Sequence, residues 1–240
     1  MNTDTPNVRK EAYQLRQAFQ FDKARALLQE ALSTDLPPAE RWALHYDLGK
    51  VHQDQFDMEQ ALHHYHKAIN GLEASGEGPS LFLARLYGAC GLIHQDEGRE
   101  EEALECHHRA VVLLQQLPEN ESAFFLASNH KYLGELYQEQ EELPKSREHY
   151  RSALPLLQQR LGEGEGFLYL EAATVALQLA AVELELYLQG KGRTTAAAIR
   201  QLLTGAQLWL EHLDAEDSIV EQRTADLQRL SFMVDKVGEA

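Results

Sequence analysis

Residues 46–69 read YDLGKVHQDQFDMEQALHHYHKAI, and the same pattern returns twice further along the chain. Residues 88–111 read GACGLIHQDEGREEEALECHHRAV, and residues 131–154 read KYLGELYQEQEELPKSREHYRSAL. The copies are offset by 42 and then 43 residues when they are aligned on one shared glycine, which is Gly49, Gly91 or Gly134. A period of this length is too short for independent domains and is typical of stacked helical hairpins.

Each copy also places small and ring-bearing residues at matching distances after the glycine. A small residue stands twelve places on, a ring follows four places later, and an alanine comes three places after the ring. The members are Ala61, Tyr65 and Ala68, then Ala103, His107 and Ala110, and finally Ser146, Tyr150 and Ala153. Glycine inside a helix costs about 0.5–1 kcal/mol relative to alanine, so it needs a close helix contact as its reason. We expect the rings to fill the space between one hairpin and the next.

This pattern resembles the tetratricopeptide repeat, and the resemblance covers residues 42–157 well. The family has a small residue near the middle of the first helix, an aromatic three residues later, and alanine, aromatic, alanine on the second helix. Gly49 and His52 match the first part, and the small and ring residues given above match the second. The longer period resembles the variant of about 42 residues found in kinesin light chains. Phe56 and Glu141 stand where the family usually has a glycine between the helices, whereas Gly98 keeps it.

The resemblance implies an all-α fold, a right-handed superhelical solenoid of about five helical hairpins with a C-terminal capping helix. We predict one domain over residues 1–240. Its hairpins are predicted at residues 8–33, 39–72, 80–116, 122–160 and 166–213, and the capping helix at 216–237. The first hairpin is predicted to bend at Phe21 and Asp22.

Composition restricts the partners. The chain has 22 basic and 38 acidic residues, for a formal charge of −16, and this disfavours both the phosphates of nucleic acids and anionic membrane surfaces. Cys90 and Cys106 are too few for a disulfide framework. The first residues lack the apolar core of a secretory signal, and the apolar stretch 167–188 is interrupted by polar residues. We expect a cytoplasmic protein that binds neither nucleic acid nor membrane.

The resemblance also implies a binding groove lined by the first helix of each hairpin. The residues assigned to it by alignment are Tyr13, Arg16 and Gln17, then Tyr46, Lys50, Gln53 and Asp54, then Arg85, Leu92, Gln95 and Asp96, and finally Lys131, Glu135, Gln138 and Glu139. Recurring glutamines followed by acids predict an acidic groove that binds a basic or amphipathic segment of a partner protein. Solvation of the helix ends would explain the same residues without any function.

Sequence motifs of enzymes are absent: there is no GxSxG, no phosphate-binding glycine loop and no cysteine–histidine pair with an orienting residue. We therefore predict a non-enzymatic scaffold or adaptor without a cofactor. A dedicated chaperone or assembly factor is the alternative function, and pairing into a homodimer is open. A metal site at His63 and His66, which lie one helical turn apart, is a minor alternative, although HExxH is absent and no cysteine completes the set.

Overall fold

The computed structural model describes residues 4–76, 78–163 and 166–238. These residues form eleven α-helices and no β-strand, which confirms the predicted all-α fold. In chain order the helices are α1 (Thr5–Gln17), α2 (Phe21–Leu32), α3 (Pro38–Asp54), α4 (Met58–Ser75), α5 (Leu81–Asp96), α6 (Glu100–Leu114), α7 (Glu119–Glu139), α8 (Leu143–Gln158), α9 (Gly166–Leu188), α10 (Ala196–Leu210) and α11 (Ser218–Gly238).

The helices divide between two compact units, of which unit 1 ends at Leu117 and unit 2 begins at Pro118. Unit 1 contains the hairpins α1–α2, α3–α4 and α5–α6, and neighbouring hairpins pack through α2 on α3 and α4 on α5. Unit 2 contains the hairpins α7–α8 and α9–α10, joined through α8 and α9. Helix α11 packs on α9 and α10 and buries an apolar stripe, as expected of a capping helix. The handedness of the stack stays a prediction.

Local capping extends several helices beyond the predicted bounds. The carboxylate of Asp4 accepts a backbone N–H in the first turn of α1, so the first hairpin begins at Thr5 rather than at residue 8. Gly76, with a left-handed φ of 68°, ends α4 later than the predicted residue 72. Pro118 lies directly before Glu119, the first residue of α7, where a missing N–H costs nothing, so this helix also starts before residue 122.

The shared glycines each lie against a ring on the second helix of the same hairpin. The three contacts are Gly49 with Tyr65, Gly91 with His107, and Gly134 with Tyr150. A β-carbon added to Gly91 would lie only 2.6 Å from Nε2 of His107, which is closer than real β-carbons approach other atoms. The rings therefore fill the space between the two helices of one hairpin. The expectation that they lie between successive hairpins is wrong, because the missing β-carbon leaves room for the ring inside the hairpin.

Each of the five hairpin turns contains one residue with a left-handed backbone. These residues and their φ angles are Phe19 (56°), Phe56 (59°), Gly98 (69°), Glu141 (59°) and Gly190 (67°). The N–H of the following residue donates to a carbonyl five residues earlier over 2.8–2.9 Å, which is the Schellman arrangement. Glycine adopts this conformation freely, whereas an L residue in it costs about 1–2 kcal/mol. The first hairpin thus turns at Phe19, before α2 begins, and not at Phe21 and Asp22 as predicted.

Helix α9 is the central helix of unit 2. It is long and apolar enough to cross a membrane by length and composition, and it is the one described helix that meets this test. Of its most apolar window, 61% is buried inside the structure, as in the core helix of a soluble protein. The polar interruption at Glu183 is itself buried, and Arg151 of α8 pairs with its carboxylate.

Candidate functional site

Six of the predicted groove residues line a single cavity in unit 1. This cavity, which we call the turn cavity, has a volume of about 560 Å³ and lies where α1, α3 and α5 end. The predicted residues in its wall are Arg16, Gln17, Lys50, Gln53, Asp54 and Asp96. The other wall residues are Phe19, Phe21, Phe56 and Met58. The structure therefore brings part of the predicted groove together and adds an apolar side that the sequence alignment missed.

Charged residues of α1 and α3 pair across the two helices. Nε of Arg16 lies 2.5 Å from Oδ2 of Asp54, and Nε of Arg9 lies 2.5 Å from Oδ2 of Asp47. Both arginines thus neutralise aspartates that a basic partner would otherwise meet. The wall of the turn cavity carries charges of both signs, in contrast to the acidic groove expected from the sequence.

The glutamine of the repeat pattern serves the hairpin itself. Oε1 of Gln53 accepts hydrogen bonds from Nζ of Lys50 at 2.9 Å and from the hydroxyl of Tyr65 at 3.0 Å. In unit 2, the hydroxyl of Tyr150 donates to Oε1 of Gln138 at 3.2 Å. Each tyrosine is the ring that covers a shared glycine. A packing role therefore accounts for part of the recurrence of glutamine, which the sequence analysis assigned to partner binding.

Burial lowers the pKa of Lys50, and the nearby guanidinium of Arg16 lowers it further, while Asp54 opposes both. Lys50 is half-buried, and among the described residues its ammonium has no carboxylate within salt-bridge distance. The turn cavity thus contains one cation that forms no ion pair with an acid of the described ranges.

The remaining predicted residues of unit 1 lie further from the turn cavity. The guanidinium of Arg85 stacks on the ring of Tyr46, 5.4 Å from its centroid, and donates to its hydroxyl at 3.1 Å. Tyr13 is exposed on α1, and the guanidinium of Arg16 lies 5.9 Å from its ring centroid. Leu92 and Gln95 are half-buried on α5. The contact of Arg85 with Tyr46 links α5 to α3, whereas that of Arg16 with Tyr13 lies within α1.

The four predicted residues of unit 2 all lie on α7. Nζ of Lys131 forms an ion pair with Glu171 of α9 at 2.7 Å. Burial alone would lower the pKa of Lys131, and the nearby carboxylate of Glu171 outweighs it, so the pKa is raised. Glu135 and Gln138 are half-buried and Glu139 is exposed.

The histidines form pairs that the sequence analysis did not predict. Nδ1 of His45 lies 3.0 Å from Nδ1 of His64, and Nδ1 of His130 lies 3.0 Å from Nδ1 of His149. The two pairs occupy the same places relative to the shared glycine, and this recurrence was the signal available in the sequence. His63 and His66, the pair considered for a metal, are both exposed. Throughout the described ranges, no group of three or more ligating side chains is placed to hold a metal ion.

The repeat units match a known family. Residues 40–116 match the family model described as tetratricopeptide repeat. This part of the chain consists of tetratricopeptide repeats. Comparison with the curated protein sequences found no match.

Solved structures share the fold of this chain. BtubC (BKLC) from P. vanneervenii is similar with a TM-score of 0.68 and 19% identity, over 84% of this chain and 77% of that one. A kinesin-light-chain protein of Podosopora anserina, described as having nearly identical TPR-like repeats, is similar with a TM-score of 0.64 and 14% identity, over 91% and 100% of the two chains. Bacillus thuringiensis PlcR, in a complex with the peptide PapR7 and DNA, is similar with a TM-score of 0.56 and 11% identity, over 96% and 76%. At identities this low, the structural similarity shows a shared fold and nothing more.

Proposed function

We propose that this tetratricopeptide repeat protein is a non-enzymatic interaction module of the cytoplasm, which binds an amphipathic segment of a partner protein in the turn cavity. It would act as a scaffold or adaptor. The observation that supports this most directly is the cavity itself, because it gathers six predicted groove residues from three successive first helices. PlcR, which shares the fold, is described in a complex with a peptide.

The side chains of the turn cavity suit a segment with one polar and one apolar side. Gln17 and Asp96 are exposed and can bond the N–H groups of a partner backbone, and Lys50 can bond its carbonyl or carboxylate oxygens. Phe19 and Phe56 in the same lining offer apolar contact. Because Asp54 is already paired with Arg16, an amphipathic segment fits this wall better than a uniformly basic one.

The experiment reverses the charge of Asp96, because this substitution breaks no ion pair among the described residues. Asp54→Lys would disrupt the pair with Arg16, whereas Asp96 is exposed and lines the turn cavity. We expect Asp96→Lys to lose the partners that the unsubstituted chain captures from lysate, as identified by mass spectrometry. Glu101→Lys makes the same charge change at an exposed place on α6, outside the turn cavity, and should capture the same partners. Equal capture by all three proteins would show that the turn cavity does not bind the partner.

A further inference from the structure

We propose that Phe19 and Phe56 form an aromatic clasp, in which the two rings hold one bulky apolar side chain of the partner segment. This inference rests on the proposed function and assigns to two turn residues the selection of the partner. Neither residue was predicted to bind anything, since both lie in the turns between helices.

The backbone at both phenylalanines is unfavourable for any residue except glycine. Their φ angles are 56° and 59°, in the left-handed region that bulky L residues rarely adopt. Two other hairpins of this chain place glycine at the same position, Gly98 and Gly190. Glycine is therefore compatible with this turn, and the phenylalanines occupy it against the local backbone preference.

Packing within the chain compensates little for this strain. The side chains of Phe19 and Phe56 are 81% and 84% exposed, the two most exposed values among the large hydrophobic residues described. Among the described residues, Phe19 has one ring contact, with Phe21, edge to face at a centroid distance of 6.0 Å. Each ring thus leaves most of its apolar surface in water, where a partner can cover it.

Both rings line the same turn cavity, although they lie in different hairpins. The lining also contains the apolar side chains of Met58 and Phe21 and the charged groups of the Arg16–Asp54 pair, Lys50 and Asp96. An occupant must therefore present an apolar side chain to the rings and polar groups to the charged residues of the lining. A peptide meets both needs, because its backbone offers donors and acceptors beside each side chain.

Substitution by glycine separates this binding role from a structural one. If the rings stabilise the turns, Phe19→Gly and Phe56→Gly should each lower the melting temperature. If the rings serve binding, each substitution relieves strain, and the melting temperature of the double variant should equal or exceed that of the unsubstituted chain. Glu141→Gly is the matched control, because it relieves the same left-handed strain in unit 2, outside the turn cavity.

The binding test selects a displayed library of random peptides on the full chain and measures the affinities of the enriched peptides by fluorescence anisotropy. We expect these peptides to share a bulky apolar residue. Their affinity for the Phe19→Gly/Phe56→Gly double variant should fall by about tenfold or more, and their affinity for Glu141→Gly should stay unchanged. Asp96→Lys is included as a separate probe of the polar wall.

The outcomes separate the clasp from the proposed function. Peptides that bind the double variant as tightly as the unsubstituted chain, yet lose affinity for Asp96→Lys, would overturn the clasp and keep the turn cavity as the binding site. Equal affinity for all variants would overturn both. Failure of the unsubstituted chain to enrich peptides beyond the double variant would overturn the clasp, as would light scattering that shows self-association through the rings, since the occupant would then be a second copy.

Discussion

Gly134 faces the ring of Tyr150 inside one hairpin, and a β-carbon added to the glycine would lie 2.6 Å from Cε1 of that ring. The ring is fully buried and its hydroxyl bonds Gln138 of the first helix. It therefore cannot move aside without breaking contacts on both sides. The glycine is a packing requirement of the hairpin and not a site of flexibility.

We predict that Gly134→Ala lowers the free energy of unfolding by about 1–3 kcal/mol, because the added methyl group overpacks the hairpin. The measurement is urea unfolding followed by circular dichroism. Gly205→Ala in α10 is the control, since its β-carbon would meet Trp209 at an ordinary 3.4 Å. There the helix preference of alanine should stabilise the chain by up to about 1 kcal/mol. Destabilisation of equal size in both variants would contradict the packing requirement.

The sequence predicted that the shared glycine lies at a close helix contact, but not that a ring of its own hairpin lies against it. Repeated spacing identifies Gly91 and His107 as equivalent to the other pairs, because alignment needs only the periodicity of residue types. Spacing alone does not tell whether a ring points towards the other helix of its hairpin or towards the next hairpin. That choice depends on the relative rotation of the two helices, which is set by tertiary packing.

The hydrogen bond between Tyr150 and Gln138 should stabilise the hairpin independently of the ring. Tyr150→Phe keeps the ring over Gly134 and removes only the hydroxyl, so we expect a loss of about 1 kcal/mol in thermal or urea unfolding. Gln138→Leu, made alone and together with Tyr150→Phe, completes a double-mutant cycle. A coupling energy near zero would show that Gln138 does not stabilise the tyrosine. Partner binding would then be the explanation for the recurring glutamine.

The candidate site could be predicted in part. Alignment on the shared glycine identifies the same helix face in each copy, and Lys50 and Asp96, both assigned to the groove in this way, line one cavity. That they bind a partner stays a prediction. The pairing of Arg16 with Asp54 was missed because alignment identifies equivalent places and not contacts between them. The first two hairpins are offset by 37 residues, as Phe19 and Phe56 are, whereas Arg16 and Asp54 are 38 apart and so are not equivalent. The role of Phe19 was missed because its left-handed backbone is a property of the folded turn and not of its residue type.

An ion pair between a buried carboxylate and an exposed arginine joins α8 to α9 in unit 2. The carboxylate of Glu183 on α9 is 1% exposed, and its partner Arg151 on α8 is 56% exposed. Removing the arginine leaves a buried carboxylate without its counter-ion, so we expect Arg151→Ala to lower the free energy of unfolding by about 3 kcal/mol. Adding Glu183→Gln removes the charge and should recover most of that loss. Urea unfolding of the full chain measures both, and an unchanged midpoint in Arg151→Ala would contradict the expectation.

His45 and His64 join α3 to α4 through one hydrogen bond, in which one Nδ1 donates to the other over 3.0 Å. Burial lowers the pKa of each ring to about 4, and neighbouring cations and imidazoles add to the effect. The other ionisable groups that face the pair are Arg41, His52, His63 and Lys67. A proton on the accepting Nδ1 removes the acceptor and places a charge beside the other ring.

We predict that unit 1 loses stability as the pH falls below about 6.5, where histidines of the unfolded chain take up protons that the folded pair rejects. Stability is therefore complete above this pH and decreases towards pH 4, by on the order of 2 kcal/mol for these partly exposed rings. Melting temperatures between pH 7 and 5 measure the loss. The third hairpin has Tyr87 and Cys106 at the equivalent places, so His45→Tyr/His64→Cys should show a smaller loss. His212→Gln, at an exposed site in unit 2, should follow the unsubstituted chain, and equal acid sensitivity in all three proteins would show that the pair does not control it.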